Sequence, residues 1–104
     1  MRSEIQEHSK AGKHDVDFPL ESVWGTYHTI AQRIVPILKA FRSLDKHGCP
    51  PDFDSVESWD MAIDKMICAF ELVEHTTLPD TEQDSKAFHE GLELFCRYYL
   101  DLWD

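Results

Sequence analysis

The chain has 104 residues, of which 42% are apolar and 12% aromatic, and this composition excludes the collagen-like and disordered classes. A chain of this length buries between about 60% and 70% of its unfolded surface, enough for one core but not for a deep, independently closed active site. Twenty Asp and Glu against ten Lys and Arg give a formal charge of −10, which excludes a broadly positive field for direct nucleic-acid or anionic-membrane binding.

Residues 1–17 are polar, and Met1, Ile5 and Val16 are their only large apolar side chains, so a loose tail is expected there and one helical domain over residues 18–104. This opening stretch also lacks the apolar middle of a secretory signal, and no run of eighteen apolar residues occurs, so a soluble intracellular protein without membrane contact is expected. Cys49, Cys68 and Cys96 are widely spaced with no CxxC pair, the pattern of reduced thiols rather than of a disulfide framework.

From about residue 21, Val23, Tyr27, Ile30, Ile34, Ile37 or Leu38, and Phe41 recur every three or four positions, which predicts an amphipathic helix. Pro36 lies inside it and removes one backbone donor, so a kink is expected there. Gly48, Pro50 and Pro51 predict the end of this helix, with Gly48 supplying a left-handed residue.

Asp54 and Glu57 form a capping-box-like pair ahead of a second stripe, Val56, Trp59, Ile63, Met66, Ile67, Phe70 and Val73, which runs to about Glu74. Pro79 interrupts the chain, and Asp80 and Thr81 are both competent caps for a third helix. Phe88, Gly91, Leu92, Phe95, Tyr98, Tyr99 and Leu102 mark its apolar face. The fold predicted is all-α, a bundle of three long helices. These carry more apolar surface than a minimal bundle hides, so self-association into a homo-oligomer is expected. Gly91 costs about 1 kcal/mol against Ala in a helix interior, which points to close approach of another helix or to room for a ligand.

The segments Trp59-Asp60-Met61-Ala62-Ile63-Asp64-Lys65-Met66-Ile67-Cys68-Ala69-Phe70-Glu71 and Glu90-Gly91-Leu92-Glu93-Leu94-Phe95-Cys96-Arg97-Tyr98-Tyr99-Leu100-Asp101-Leu102-Trp103-Asp104 resemble a family of small accessory proteins of tailed bacteriophages. Trp24, the run Pro36-Ile37-Leu38-Lys39-Ala40-Phe41, and Gly48 with Pro50 agree with the same pattern, so the resemblance covers roughly residues 20–104. It implies a phage accessory protein working in the cytoplasm of the infected bacterial host, and it implies no particular activity.

Charge is segregated along the chain. Residues 21–44 hold Arg33, Lys39 and Arg42 against Glu21 alone, whereas residues 45–104 hold four basic and fifteen acidic residues. Lys39 and Arg42 stand three apart on one helix, with Lys46 following. Together with Arg97 and the rings of Trp59, Tyr98 and Trp103 they make a candidate site for an anionic small molecule of nucleotide type. The other reading of these cations is pairing with acidic neighbours to hold the bundle.

The acidic residues offer a second constellation, Glu71-x-x-Glu74, fifteen residues, then Glu90-x-x-Glu93. Its spacing resembles the paired ExxE and ExxD arrangement of all-α nucleoside triphosphate pyrophosphohydrolases, with Glu93 where that family has Asp. Convergent carboxylates of this kind hold Mg²⁺, so Glu71, Glu74, Glu90 and Glu93 are the metal ligands under an enzymatic reading, and no cofactor is expected otherwise. Glu93 with Arg97 and Arg97 with Asp101 also make ordinary i,i+4 pairs.

The six histidines are scattered, and His47-x-Cys49 alone is two ligands short of a zinc site. Cys68 and Cys96 fall on or beside apolar faces, where a thiol packs rather than reacts. The leading expectation is a non-enzymatic, phage-encoded binding protein that counters host defence by sequestering an anionic nucleotide-type signal or occupying a host protein. The alternatives are an acidic nucleic-acid mimic that blocks a DNA-binding host enzyme, and the Mg²⁺-dependent pyrophosphohydrolase.

Overall fold

A computed structural model describes residues 25–74 and 78–103. The expected tail over residues 1–17, together with Val23 and Trp24, lies outside the described residues. Within them the chain forms α1 (Thr26–Arg42), α2 (Val56–Glu74) and α3 (Glu82–Tyr98), followed by a single 3₁₀ turn at Tyr99–Asp101. No strand occurs among the described residues, and the fold is all-α as the periodicity predicts.

α1 runs through Pro36 as one element. The missing N–H deprives the Gln32 carbonyl of its intrahelical partner, and both residues lie on the exposed side of the helix. α1 stops earlier than the glycine and prolines predict. The Ser43 N–H reaches the carbonyls of Lys39 and Ala40 at 3.1 and 3.2 Å, and the Ser43 hydroxyl donates to Ala40 O at 2.8 Å. The Lys46 ammonium then donates to the carbonyls of Arg42 at 3.0 Å and Leu44 at 3.2 Å, placing a cation where the helix dipole is negative. Gly48 lies in open space and does not take the left-handed conformation expected of it.

Ser55, not Asp54, caps α2. Its hydroxyl accepts the Ser58 N–H at 3.1 Å and its carbonyl accepts the Trp59 N–H at 3.1 Å, while Asp54 accepts from the Ser58 hydroxyl at 3.1 Å. Thr81 caps α3, its hydroxyl accepting the Asp84 N–H at 3.0 Å.

α2 is the central element. α1 and α3 each pack against it, and they do not pack on one another. The physical reason is in the sequence of α2, which buries Trp59, Ile63, Met66, Phe70 and Val73, and also Ala62, Ile67 and Ala69, so that it is apolar around most of its circumference. α1 contributes Ala31, Val35 and Leu38. Of the two candidates at the helix centre it is therefore Leu38 that is buried, and the expected core stripe is rotated outward: Tyr27, Ile30 and Ile37 are exposed, and Ile34 and Phe41 are half-buried.

α3 buries only Gly91 and Tyr98, with Phe88, Leu92 and Phe95 partly covered. At Gly91 the two helices close tightly. A Cβ there would fall on the Lys65 carbonyl oxygen and within 2.6 Å of Ala69 Cβ, so the glycine serves helix approach and leaves no room for a ligand. At one end Phe53, Trp59 and Tyr98 form a ring cluster with centroids 5.0 to 5.8 Å apart, and the Tyr98 hydroxyl donates to Asp52 Oδ2 at 2.8 Å.

Candidate functional site

Lys39 and Arg42 of α1 are placed against α2 by the same rotation that buries Ala31, Val35 and Leu38. Lys39 Nζ lies 2.9 Å from Glu71 Oε2. Arg42 makes a two-pronged contact with Asp64, Nε to Oδ1 at 2.8 Å and the second guanidinium nitrogen to Oδ2 at 3.3 Å, and also approaches Asp60 at 3.4 Å. The hydrogen bond and charge of Glu71 raise the Lys39 ammonium above its ordinary value, and Asp64 does the same for the Arg42 guanidinium. Lys46, whose side chain is wholly covered, lies 2.8 Å from Asp60 Oδ1 and 5.0 Å from the centre of the Phe41 ring. That oxygen is buried without an aligned hydrogen-bond donor, so the lysine meets it as a charge.

The six residues of the candidate anion site are not brought together as one pocket. Lys39 and Arg42 face the α2 carboxylates. Arg97 is exposed on α3, 3.7 Å from Glu93 Oε2. Trp59 is 1% exposed, inside the ring cluster, and Tyr98 is buried beside it. The bond to Asp52, with burial, pushes the Tyr98 hydroxyl above the ordinary phenol value. Trp103, unlike the other two rings of the six, stands free of the core, 74% exposed.

The four glutamates do not converge either. Glu71 turns to Lys39 of α1, whereas Glu90 pairs with Lys65 of α2 at 2.8 Å, and Glu93 with Arg97 of its own helix. The Lys65 hydrogen bond and charge hold the Glu90 carboxyl below the usual carboxylate range. Among the described residues no group of three or more His, Cys, Asp or Glu side chains is placed to hold a metal ion. Two helices can each carry an ExxE pair and still point them apart, because spacing within a helix does not fix its rotation about its neighbour.

What the arrangement does create is a trough. Because α1 and α3 lie on either side of α2 without meeting, an apolar groove of about 880 Å³ opens between them. Ile34, Ile37 and Leu38 of α1 form one wall. Phe95 and Cys96 of α3, with Tyr99, Leu100, Leu102 and Trp103 beyond it, form the other. The 3₁₀ turn follows α3 directly and is closed by the Leu102 N–H donating to Tyr99 O at 3.3 Å, and just beyond it the Trp103 N–H donates to Asp101 O at 2.9 Å. Trp103 also lines a smaller cavity of about 310 Å³ beside Cys49, Pro50 and Pro51.

Cys96 opens into the trough and Cys68 is exposed, so neither is the covered packing group that its stripe predicts; all three cysteines are free thiols. The trough went unpredicted because its residues read as ordinary core positions. The signal that marks it is the excess of apolar residues on α1, which fills two stripes where one helix contact needs one. No helix among the described residues is long and apolar enough to cross a membrane. Comparison with known protein families, curated proteins and solved structures finds no match for this chain.

Proposed function

We propose that this chain is a non-enzymatic binding protein whose working surface is the trough between α1 and the end of α3. The single observation that carries the reading is exposure: Ile37 at 67%, Tyr99 at 59%, Leu100 at 83% and Trp103 at 74% border one groove in a chain of charge −10. An exposed apolar patch on so charged a surface marks a contact site. The cations that a nucleotide phosphate would need are engaged by carboxylates of the same chain, and this favours the protein-contact reading over sequestration of an anionic signal.

The resemblance to phage accessory proteins supports a setting in the cytoplasm of an infected bacterium, with occupation of a component of host defence as the biological outcome. The test is a titration of dilute purified protein with the neutral, environment-sensitive dye Nile red, beside calorimetry with a panel of mono-, di- and cyclic nucleotides. Saturable dye binding that is lost in Leu100→Glu, with no heat from nucleotides, is the expected result. Nucleotide binding that disappears in Lys39→Met and Arg42→Met, with no dye binding, overturns the reading.

A further inference from the structure

We infer that the occupant of the trough is a second copy of this chain, joined about a two-fold axis; this rests on the trough being the working surface. The first ground is the pattern of α1. Tyr27, Ile30, Ile34, Ile37 and Phe41 follow alternating steps of three and four residues, the spacing of a helix that meets another helix along its length, and Leu44 continues the step just past the helix end. The adjacent stripe, Ala31, Val35 and Leu38, is already used against α2. Of the outer six, Tyr27, Ile30, Ile37 and Leu44 are exposed and Ile34 and Phe41 half-buried. α1 therefore carries more apolar surface than α2 covers: Ile34 and Phe41 pack against the edge of the core, and Tyr27, Ile30 and Ile37 are left outside it.

The second ground is area. At roughly 200 Å² of accessible surface for a large side chain, Ile37, Tyr99, Leu100 and Trp103 expose about 550 Å² between them, given their fractional exposures. Two copies would remove about 1,100 Å² from these residues alone, which reaches the roughly 1,000 Å² that a specific interface needs. Tyr27 and Ile30 extend the same stripe. The patch also holds both a ridge and a hollow, since Leu100 and Trp103 are exposed at the border of a groove of about 880 Å³, and a two-fold contact requires both within one surface.

The third ground is charge. Copies of a chain carrying −10 repel one another over most of their surface. α1 is the exception in carrying no Asp or Glu, and its Lys39 and Arg42 are already engaged by carboxylates of α2, whereas α3 holds Glu82, Asp84, Glu90 and Glu93 against Lys86 and Arg97. A two-fold axis through the trough lays each α1 towards the trough wall formed by the other copy's α3, so the least acidic helix meets an acidic one.

The experiment is light-scattering mass determination on the full chain over a concentration series, with Nile red fluorescence recorded on the same samples. The mass should rise from 12.1 kDa to about 24 kDa, twice the chain mass, while dye fluorescence per chain falls. Ile37→Glu and Leu100→Glu should each hold the single-chain mass with unchanged helical circular dichroism, and Met61→Glu, at an exposed apolar residue of α2 outside the trough, should still double. A single-chain mass throughout, with saturable dye binding, overturns the second copy and leaves the trough as a binding surface. A single-chain mass without dye binding overturns both. A doubled mass that survives Ile37→Glu and Leu100→Glu, or a mass of three or more chains, overturns the two-fold closure.

Discussion

Lys46 Nζ lies 2.8 Å from Asp60 Oδ1, and the lysine side chain is wholly covered while the carboxylate is largely so. The ammonium is fixed by the carbonyls of Arg42 and Leu44 at the end of α1, so this one contact joins the end of α1 to the first turns of α2. Removing one member of a covered ion pair costs more than the pair contributes, because the other charge is left without its partner.

Asp60→Asn is therefore expected to destabilise the fold by about 3 kcal/mol. Lys46→Met should cost less, since Asp60 keeps the Arg42 guanidinium at 3.4 Å and retains some exposure. Urea unfolding of both variants checks the order. Equal, small losses would show that the contact is no more than a surface pair.

Gly91→Ala adds one methyl group where α3 meets the Lys65 carbonyl and Ala69 Cβ of α2. In an open helix the change would gain about 1 kcal/mol from propensity. Here the backbone carbonyl has no flexible end to move aside, so a net loss of about 1–3 kcal/mol is expected from forced separation of the helices. Thermal unfolding decides the sign, and a more stable Gly91→Ala protein would mean that α2 and α3 are not this close.

Thr81→Ala removes the hydroxyl that accepts the Asp84 N–H at 3.0 Å. A loss of about 1 kcal/mol is expected. The same substitution at Ser55 should behave alike, whereas Asp54→Ala should cost less, because Asp54 accepts only a side-chain hydroxyl. Chemical unfolding of the three variants tests which residue caps α2.

Two groups give opposite pH limits. Tyr98 donates to Asp52 and is held above the ordinary phenol value, near 10, so its contribution is complete below that value and is lost as pH rises through the higher folded one. Tyr98→Phe should lack this alkaline loss. Glu90 is held below the ordinary carboxylate value by Lys65, so its contribution is present above that value and is lost as pH falls through the lower folded one. Lys65→Met should return the Glu90 titration to the ordinary range in carboxyl-resolved NMR, and an unmoved Glu90 would mean that the two side chains do not meet in solution.

The helices are legible because their apolar repeats are long and their breaks carry Pro50, Pro51, Pro79 and the Thr81 cap. Trp59, Ile63, Met66, Phe70 and Val73 are buried where the second stripe puts them. Rotation was not legible. α1 has large apolar residues on one stripe and Ala31, Val35 and Leu38 on another, and hydropathy alone ranks the larger set as core. The smaller set lets α1 lie close to α2 and brings Lys39 and Arg42 onto Glu71 and Asp64, so packing and ion pairing together reverse the ranking.

Helix rotation also decides both candidate sites. Lys39, Arg42, Arg97, Trp59, Tyr98 and Trp103 were grouped by residue chemistry, and Glu71, Glu74, Glu90 and Glu93 by spacing. Neither property fixes which way a helix turns towards its neighbour. The trough depends on a contact that is missing, between α1 and α3, and local periodicity carries no signal for that.

The most direct measurement is methyl-resolved NMR of the full chain, diluted into its single-chain range and titrated with Nile red. The methyl groups of Ile34, Ile37, Leu38, Leu100 and Leu102 should shift along one saturable curve, while Met61 and Leu78, exposed but away from the trough, stay in place. Shifts centred on Met61 or Leu78, or none that saturate, would contradict the trough as the surface through which this protein works.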